Sequence, residues 1–322
     1  MATIAGQATT FNSPNYHGEL FLVSPIETPF LSAIGGLNSA KMCHAIDFEW
    51  QTEDRRASTP NNAALEGAAA PAGAERARSN IKNCVEIHQS AIEVTYSKLG
   101  ATGNFSGANV APQWDDLVLN ELSIQTMAEL ESMAIDLEQS FLSGVYSRPA
   151  SNASVRTTQG VLGAAQTVNA NGGVNRALTK AILDSTLQSM FNAGAKLPQA
   201  TTVLMLGAGE KINLSNVYSA APQLNQATFT RNIGGVAIDT VVTDFGTFGV
   251  MLNRWMPANQ IAVVDLGMCY PVFMEIPTPQ GVGTLFVEEL ARTGSSRKFQ
   301  LYGEVGLEYG APNAHGLIKD LT

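Results

Sequence analysis

The sequence is short of charge. Only 15% of its 322 residues are Asp, Glu, Lys or Arg, where soluble monomers carry about 25%. With 45% hydrophobic residues the chain can bury a real core. So lightly charged a surface suits a protein that covers much of itself with copies of itself. Long apolar runs are missing too: no uncharged run that is also apolar comes near the ~18 residues of a membrane-spanning helix. Met1 to Ser13 is polar and uncharged, without the basic-then-apolar order of a secretory leader, so synthesis in a cytoplasm is expected. Cysteine is scarce. Cys43, Cys84 and Cys269 are odd in number and widely spaced, which fits reduced, packed thiols rather than a disulfide framework. Without a leader, the glycosylation patterns at Asn152 and Asn213 carry no weight.

Catalytic signatures are absent as well. The four histidines are His17, His44, His88 and His315, and no GxSxG, HExxH or HxE…CxxC pattern surrounds them. Gly207-Ala208-Gly209 stands between a strand-like TTVLMLG and a helical AGEKI, the context of a dinucleotide fingerprint. Ile212 occupies the place of its third glycine. Cys84 and His88 on one strand would lie about 13 Å apart, too far to share a metal; Cys43 and Cys84 could still be cross-strand neighbours. Glu121, Glu129, Glu131, Asp136 and Glu138 fall mostly on the polar face of a long helix, where solvation is the default. The net charge of −9 offers nothing to a phosphate backbone. The residues therefore point to no catalytic, cofactor or metal site.

What is present is a series of architectural pieces. Residues 1–40 form an arm punctuated by Gly, Ser, Asn and Pro, in which Phe30, Leu31 and Ile34 make an apolar patch. Alone the patch would be exposed; docking on a neighbour would bury it. AIDFEWQ (45–51) alternates as a half-buried strand, with Ile46, Phe48 and Trp50 on one face. NCVEIHQSAIEVTYS (83–97) alternates with a change of parity, which predicts a bulge near Ser90. The stretch between them, Thr52 to Asn80, is rich in Ala, Asn, Gly and Pro and cannot make its own core. A long two-stranded arm explains it, with Arg55, Arg56, Arg76 and Arg78 near the tip facing partners. Pro112 to Gly144 reads as one long helix, about 45 Å in length. Its apolar stripe includes Trp114, Leu117, Val118, Leu122, Met127, Leu130, Met133, Ala134, Leu137 and Phe141, and Gly144 stops it. From Gly160 the texture becomes that of a central sheet with helices packed on it: helix 176–196, strand 201–207, a helix from Ala208, then about three strands over 234–265. Two strands near the C-terminus flank Thr293-Gly294-Ser295-Ser296. A phosphate loop would need a helix after it; a strand follows, so this is a hairpin tip. Arg292, Arg297 and Lys298 there suit contacts to acidic neighbours or protection of an edge.

The order of these pieces resembles the major capsid protein of tailed phages, the Hong Kong 97-like fold. The resemblance covers most of the chain and is carried by ETPFLSAIG, FEWQTEDRR, the spine-like helix, TTQGVLGA and ARTGSSRKF…GEVGLEY…NAHG. It implies an α+β fold with an N-terminal arm (1–44), an extended loop (45–97), a peripheral domain with the spine helix (98–159), an axial domain (160–265) and a return to the peripheral domain (266–322). It implies a structural protein, not an enzyme, whose copies form the hexamers and pentamers of an icosahedral shell. The shell encloses double-stranded DNA without sequence-specific binding or a membrane. Portal, scaffolding and decoration proteins are the further partners it allows. The virion capsid is the implied location. Some members join the loop to a neighbour through a Lys–Asn bond; Thr52 to Ile81 holds no lysine and Lys82 lies at the base, so a non-covalent shell is expected. With about 40 residues ahead of the loop, any scaffold is expected to be a separate protein. A cellular nanocompartment of the same fold is the alternative, and an α/β enzyme with an insertion a more distant one.

Overall fold

The computed structural model describes residues 26–36, 40–53, 61–73, 78–100, 121–219, 231–233, 236–278, 281–292 and 294–322. Its helices are α1 (Pro29–Ala33), α2 (Tyr96–Gly100), α3 (Glu121–Ser143), α4 (Val161–Ala164), α5 (Lys180–Asn192) and α6 (Ala208–Ser219). Strands are numbered in chain order. The helix expected from Pro112 is described from Glu121 onward, so Trp114, Leu117 and Val118 lie outside the described residues.

A seven-stranded mixed sheet forms the centre. Its order is β5 (Thr167–Asn169), β16 (Gly316–Ile318), β10 (Ile261–Asp265), β6 (Thr202–Leu206), β9 (Gly246–Leu252), β8 (Val236–Thr243) and β7 (Arg231–Ile233). Strands β6 and β10 are buried at every position, as short unbroken apolar runs should be when both faces of a sheet are covered. Alternate residues divide between two cores. Leu204, Leu206, Ile261 and Val263 pack with Leu183, Leu187 and Met190 of α5 and Leu214 and Tyr218 of α6. Val203, Met205, Ala262 and Val264 face the other way, toward α1, α3 and α4. Gly207 and Gly209 sit at the strand-to-helix turn between β6 and α6, where the sequence placed them.

The second sheet is built on the long strand β15 (Ser296–Glu308). Along one edge lie β11 (Tyr270–Met274) and β14 (Leu285–Glu289) end to end, and along the other lies β4 (Glu86–Thr95). Val305 pairs with both Phe273 and Glu86, and Gly303 with both Leu285 and His88. Strand β1 (Lys41–Cys43) adds in parallel to β11. The predicted terminal hairpin is therefore present as β14–β15. The predicted bulge is not. Strands β4 and β15 stay in one continuous register from Thr95–Ser296 to Glu86–Val305. The parity change falls instead at Val85, between β3 (Arg78–Cys84) and β4. Glu86 is consequently buried and Ile87 is 45% exposed. Cys43 pairs with Met274 and Cys84 with Asp47, so the two thiols are not cross-strand neighbours.

One apolar cluster joins the two sheets. It holds Phe30 and Leu31 of α1, Leu137 and Phe141 of α3, Val203, Met205, Ala262 and Val264 of the central sheet, and Phe273, Val305 and Leu307 of the second. The arm patch is thus buried in its own chain: Phe30 is 0% and Leu31 3% exposed. This corrects the expectation that these two residues contact a neighbouring subunit. Pro29 opens α1 in the position where a missing N–H costs nothing. The donors after it are met by Glu138: Phe30 N–H gives to Oε1 at 2.9 Å and Leu31 N–H to Oε2 at 2.6 Å. Asn253 Nδ2 gives to Oε1 at 2.6 Å. Glu138 is fully buried, against the expectation of a solvated face. Burial pushes its carboxyl above the ordinary range, and the three donors oppose that shift without cancelling it. Met127, counted in the apolar stripe, is 64% exposed. At the helix end, a Cβ on Gly144 would lie 2.5 Å from the carbonyl oxygens of Ser140 and Thr158, so only glycine lets the chain turn there.

Glu138→Ala should strand three buried donors and cost about 3 kcal/mol, seen as a lower urea midpoint and easier proteolysis of the arm. Glu138→Gln keeps one acceptor and sheds the cost of burying charge, so it should lose less.

Candidate assembly surfaces

Strands β2 (Asp47–Glu53) and β3 form a separate two-stranded ribbon. An isolated pair of this kind is marginal in water, so its hold on the body decides whether it stands. The alternation places Phe48 and Trp50 on the inner face, half-buried. Trp50 packs edge-on against Tyr309 with ring centroids 4.9 Å apart, and its Nε1–H donates to Gly310 O at 2.8 Å. Phe48 lies over Gly306, where a Cβ would come within 2.6 Å of the ring. Asp47 pairs with Arg148 at 2.8 Å.

Asn83, at the foot of β3, is fully buried and uses its whole amide. Nδ2 donates to Leu307 O at 2.7 Å and Gln159 O at 3.2 Å; Oδ1 accepts from Gln159 N–H at 2.8 Å and Cys84 N–H at 2.9 Å. Next to it Glu86 accepts from Thr158 N–H at 3.0 Å and contacts His88 Nε2 at 2.7 Å. Burial pushes the Glu86 carboxyl up, but the bonds from His88, Ser140 and Thr158 outweigh it and hold it below the ordinary range. On the opposite face of β4 and β15, Arg156 binds Glu304 and donates to Val85 O at 2.8 Å. The TTQG stretch, 157–160, is thereby the clasp between ribbon, spine helix and second sheet.

Beyond this foot the described residues of the loop are bare. Every described residue from 61 to 73 is exposed, and Leu65 is 87% exposed. Arg78 faces Glu53 at 4.0 Å with most of its side chain in solvent. Arg55, Arg56 and Arg76 lie outside the described residues.

At the other candidate surface, the β14–β15 tip, the arginines already have an acidic partner in their own chain. Arg297 pairs with Glu289 at 2.8 Å and Arg292 with the same carboxylate at 3.4 Å. The bond from Arg297 chiefly holds Glu289 below its usual range. Lys298 is exposed, opposite Glu93 across β4. The structure brings Arg292 and Arg297 together on Glu289, while Arg78 faces Glu53. Further exposed apolar side chains escaped the sequence reading: Phe191, Val145, Val155 and Ile212 are between 55% and 79% exposed. Phe191 gave no signal of this: it lies four residues after Leu187, a spacing that suits the buried stripe of Leu183, Leu187 and Met190 on α5, and is exposed all the same.

Asn83→Ala should cost about 3 kcal/mol by leaving buried amides and carbonyls without partners, read from urea unfolding. Asn83→Asp keeps the acceptor but loses the Nδ2 donors and should fall nearly as far.

Among the described residues no cluster of His, Cys, Asp or Glu could hold a metal, and no helix is long and apolar enough to cross a membrane. Comparison of the fold finds the capsid asymmetric unit of cyanophage A-1(L), with a TM-score of 0.64 at 14% identity over 98% of each chain. The capsid of an empty GTA particle gives 0.60 at 15% identity, over 100% of this chain and 99% of that one. The SrpI encapsulin of Synechococcus elongatus gives 0.58 at 10% identity, over 96% and 92%. No curated protein matches the sequence. These likenesses establish the Hong Kong 97-like fold. The family model described as SU10 major capsid protein matches residues 3–322, and the chain belongs to that family of phage major capsid proteins.

Proposed function

We propose that copies of this chain assemble, as hexamers and pentamers, into the icosahedral shell that encloses the double-stranded DNA of a tailed phage. The observation that carries this is the ribbon: its foot is held by a buried polar clasp, while all its described distal residues are exposed. A chain does not fix so firmly a segment that covers nothing of its own. Across subunits, arms of this kind bury a few thousand Å² in obligate contacts. The role is structural, and the shell holds its genome without sequence-specific contacts. The acidic net charge of −9 supports that reading by disfavouring adhesion to DNA. The virion is its location, following synthesis in the host cytoplasm. Portal, scaffolding and decoration proteins are its further partners, and the joints between subunits are non-covalent.

We assign residues 1–44 to the arm, 45–97 to the extended loop, 98–159 and 266–322 to the peripheral domain and 160–265 to the axial domain. Within the loop, only the ribbon up to Cys84 leaves the body, since β4 pairs along β15. The family match favours a phage shell over a cellular nanocompartment.

Negative-stain microscopy of the purified protein should show shells, capsomers or tubes; a monodisperse monomer would refute assembly. Deleting Thr52 to Asn80 spares Phe48, Trp50 and Asn83. It should leave the circular dichroism and unfolding transition intact while abolishing particles, and normal particles from that deletion would overturn the role given to the ribbon.

A further inference from the structure

The chain passes from the second sheet to the central sheet once at its C-terminal end, between β15 and β16. This crossing, Tyr309 to His315, carries two attachments. On its outer side Trp50 of the ribbon rests on Tyr309 and donates to Gly310 O. On its inner side His315 is fully buried. Its Nε2 meets Tyr309 O at 2.6 Å, which makes Nε2 the donor and leaves Nδ1 as an acceptor. Nδ1 is buried and has no hydrogen-bond partner among the described residues.

Among the described residues no group lies within hydrogen-bond distance to receive a proton placed there. Asp265, at the end of β10, is the charged group whose field reaches the ring. Its Oδ1 already accepts from Thr201 Oγ1 and from Gly267 N–H. Cys269 and Tyr309 are the other titratable groups in this part of the core, and burial pushes both up, so they stay neutral. Glu308 is engaged by Lys41 at 2.7 Å. From α5 the neighbour is Met190, packed on Gly316.

We propose that His315 is a proton-sensitive wedge: protonating its unpartnered nitrogen opens the crossing and, through Tyr309 and Gly310, loosens the hold on Trp50 and the ribbon. The direction follows from linkage. Burial pushes the imidazole below its ordinary range, with the Tyr309 bond and Asp265 acting the other way. In an opened crossing the ring would titrate near its ordinary value, about 6.5. Between the two values only the opened state binds the extra proton, so acid shifts the equilibrium toward opening and neutral pH closes it.

Hydrogen exchange of the full-length protein tests this, comparing about pH 7.5 with about pH 5.5, the window in which histidine changes charge, after correction for intrinsic rates. In the wild type, peptides spanning Asp47–Glu53 and Tyr309–Gly316 should both lose protection on acidification, by up to about tenfold per pH unit for one proton. His315→Gln should remove that dependence in both. Trp50→Phe should keep it at the crossing and remove it from the ribbon. Equal wild-type protection at the two pH values would overturn the proposal, whether or not the variants fold. So would an undiminished acid response in His315→Gln, or a ribbon in Trp50→Phe that still follows the crossing.

Discussion

The carboxylate of Glu138 is the contact on which the rest of the structure depends. It lies where three parts of the chain meet: the arm helix, the spine helix and the segment after β9. It accepts a hydrogen bond from the first and third of these at once. A short helix has little stability of its own, because its first turn leaves N–H groups unpaired. Here those groups are answered from another element, so α1 exists only when docked. The apolar patch that follows, Phe30 and Leu31, then fills the cluster shared by both sheets. Nearby, Glu27 reinforces the dock, with its carbonyl accepting from Trp255 Nε1 at 2.8 Å. The ETPF string is therefore a docking sequence for its own chain.

Asn83 serves the ribbon as Glu138 serves the arm. Both are polar groups sunk in the body, and both use all the hydrogen-bonding capacity that their partners require. A fully satisfied buried network specifies one arrangement, because every alternative leaves a polar group unpaired in a low dielectric. Apolar packing alone would hold the ribbon's foot less definitely, since Phe48 and Trp50 are only half-buried. The clasp fixes the direction in which the ribbon leaves the body. Its exposed part can then be lightly built, because it needs order only where another surface supplies it.

Much of this was legible in the sequence, and the remainder was not for identifiable reasons. Period-two alternation announced β2, and the unbroken apolar run announced β6. The turn at Gly294 to Ser296 announced β14 and β15. These signals are local and survive any tertiary context. Glu138 was misassigned because its charge outweighed its position. It occupies an apolar place in the i, i+3, i+4, i+7 series Ala134, Leu137, Glu138, Phe141, and that place was the clue. The parity change in 83–97 was read correctly but located wrongly. A break between two strands and a bulge within one produce the same shift, and only the pairing of β4 with β15 distinguishes them. Asn83 and His315 offered no local signal, since the body partners of Asn83 are 76 and 224 residues away and that of His315 is the backbone carbonyl of Tyr309.

The shortage of charge acquires a structural meaning from these contacts. Several of the charged side chains are spent inside the chain: Arg292 and Arg297 on Glu289, Arg156 on Glu304, Lys41 on Glu308. A cation already matched by its own chain contributes little new attraction to a partner, and exposed pairs are weak in any case. Selective contact between copies must then rest on shape, on backbone edges and on exposed apolar side chains. The ribbon offers all of these: among the described residues β2 and β3 pair as strands only with each other, and Leu65 is in the open. Open edges invite indiscriminate pairing, so a chain that carries them needs their orientation fixed before it meets another copy. The polar clasp at Asn83 and Glu86 supplies that orientation from within.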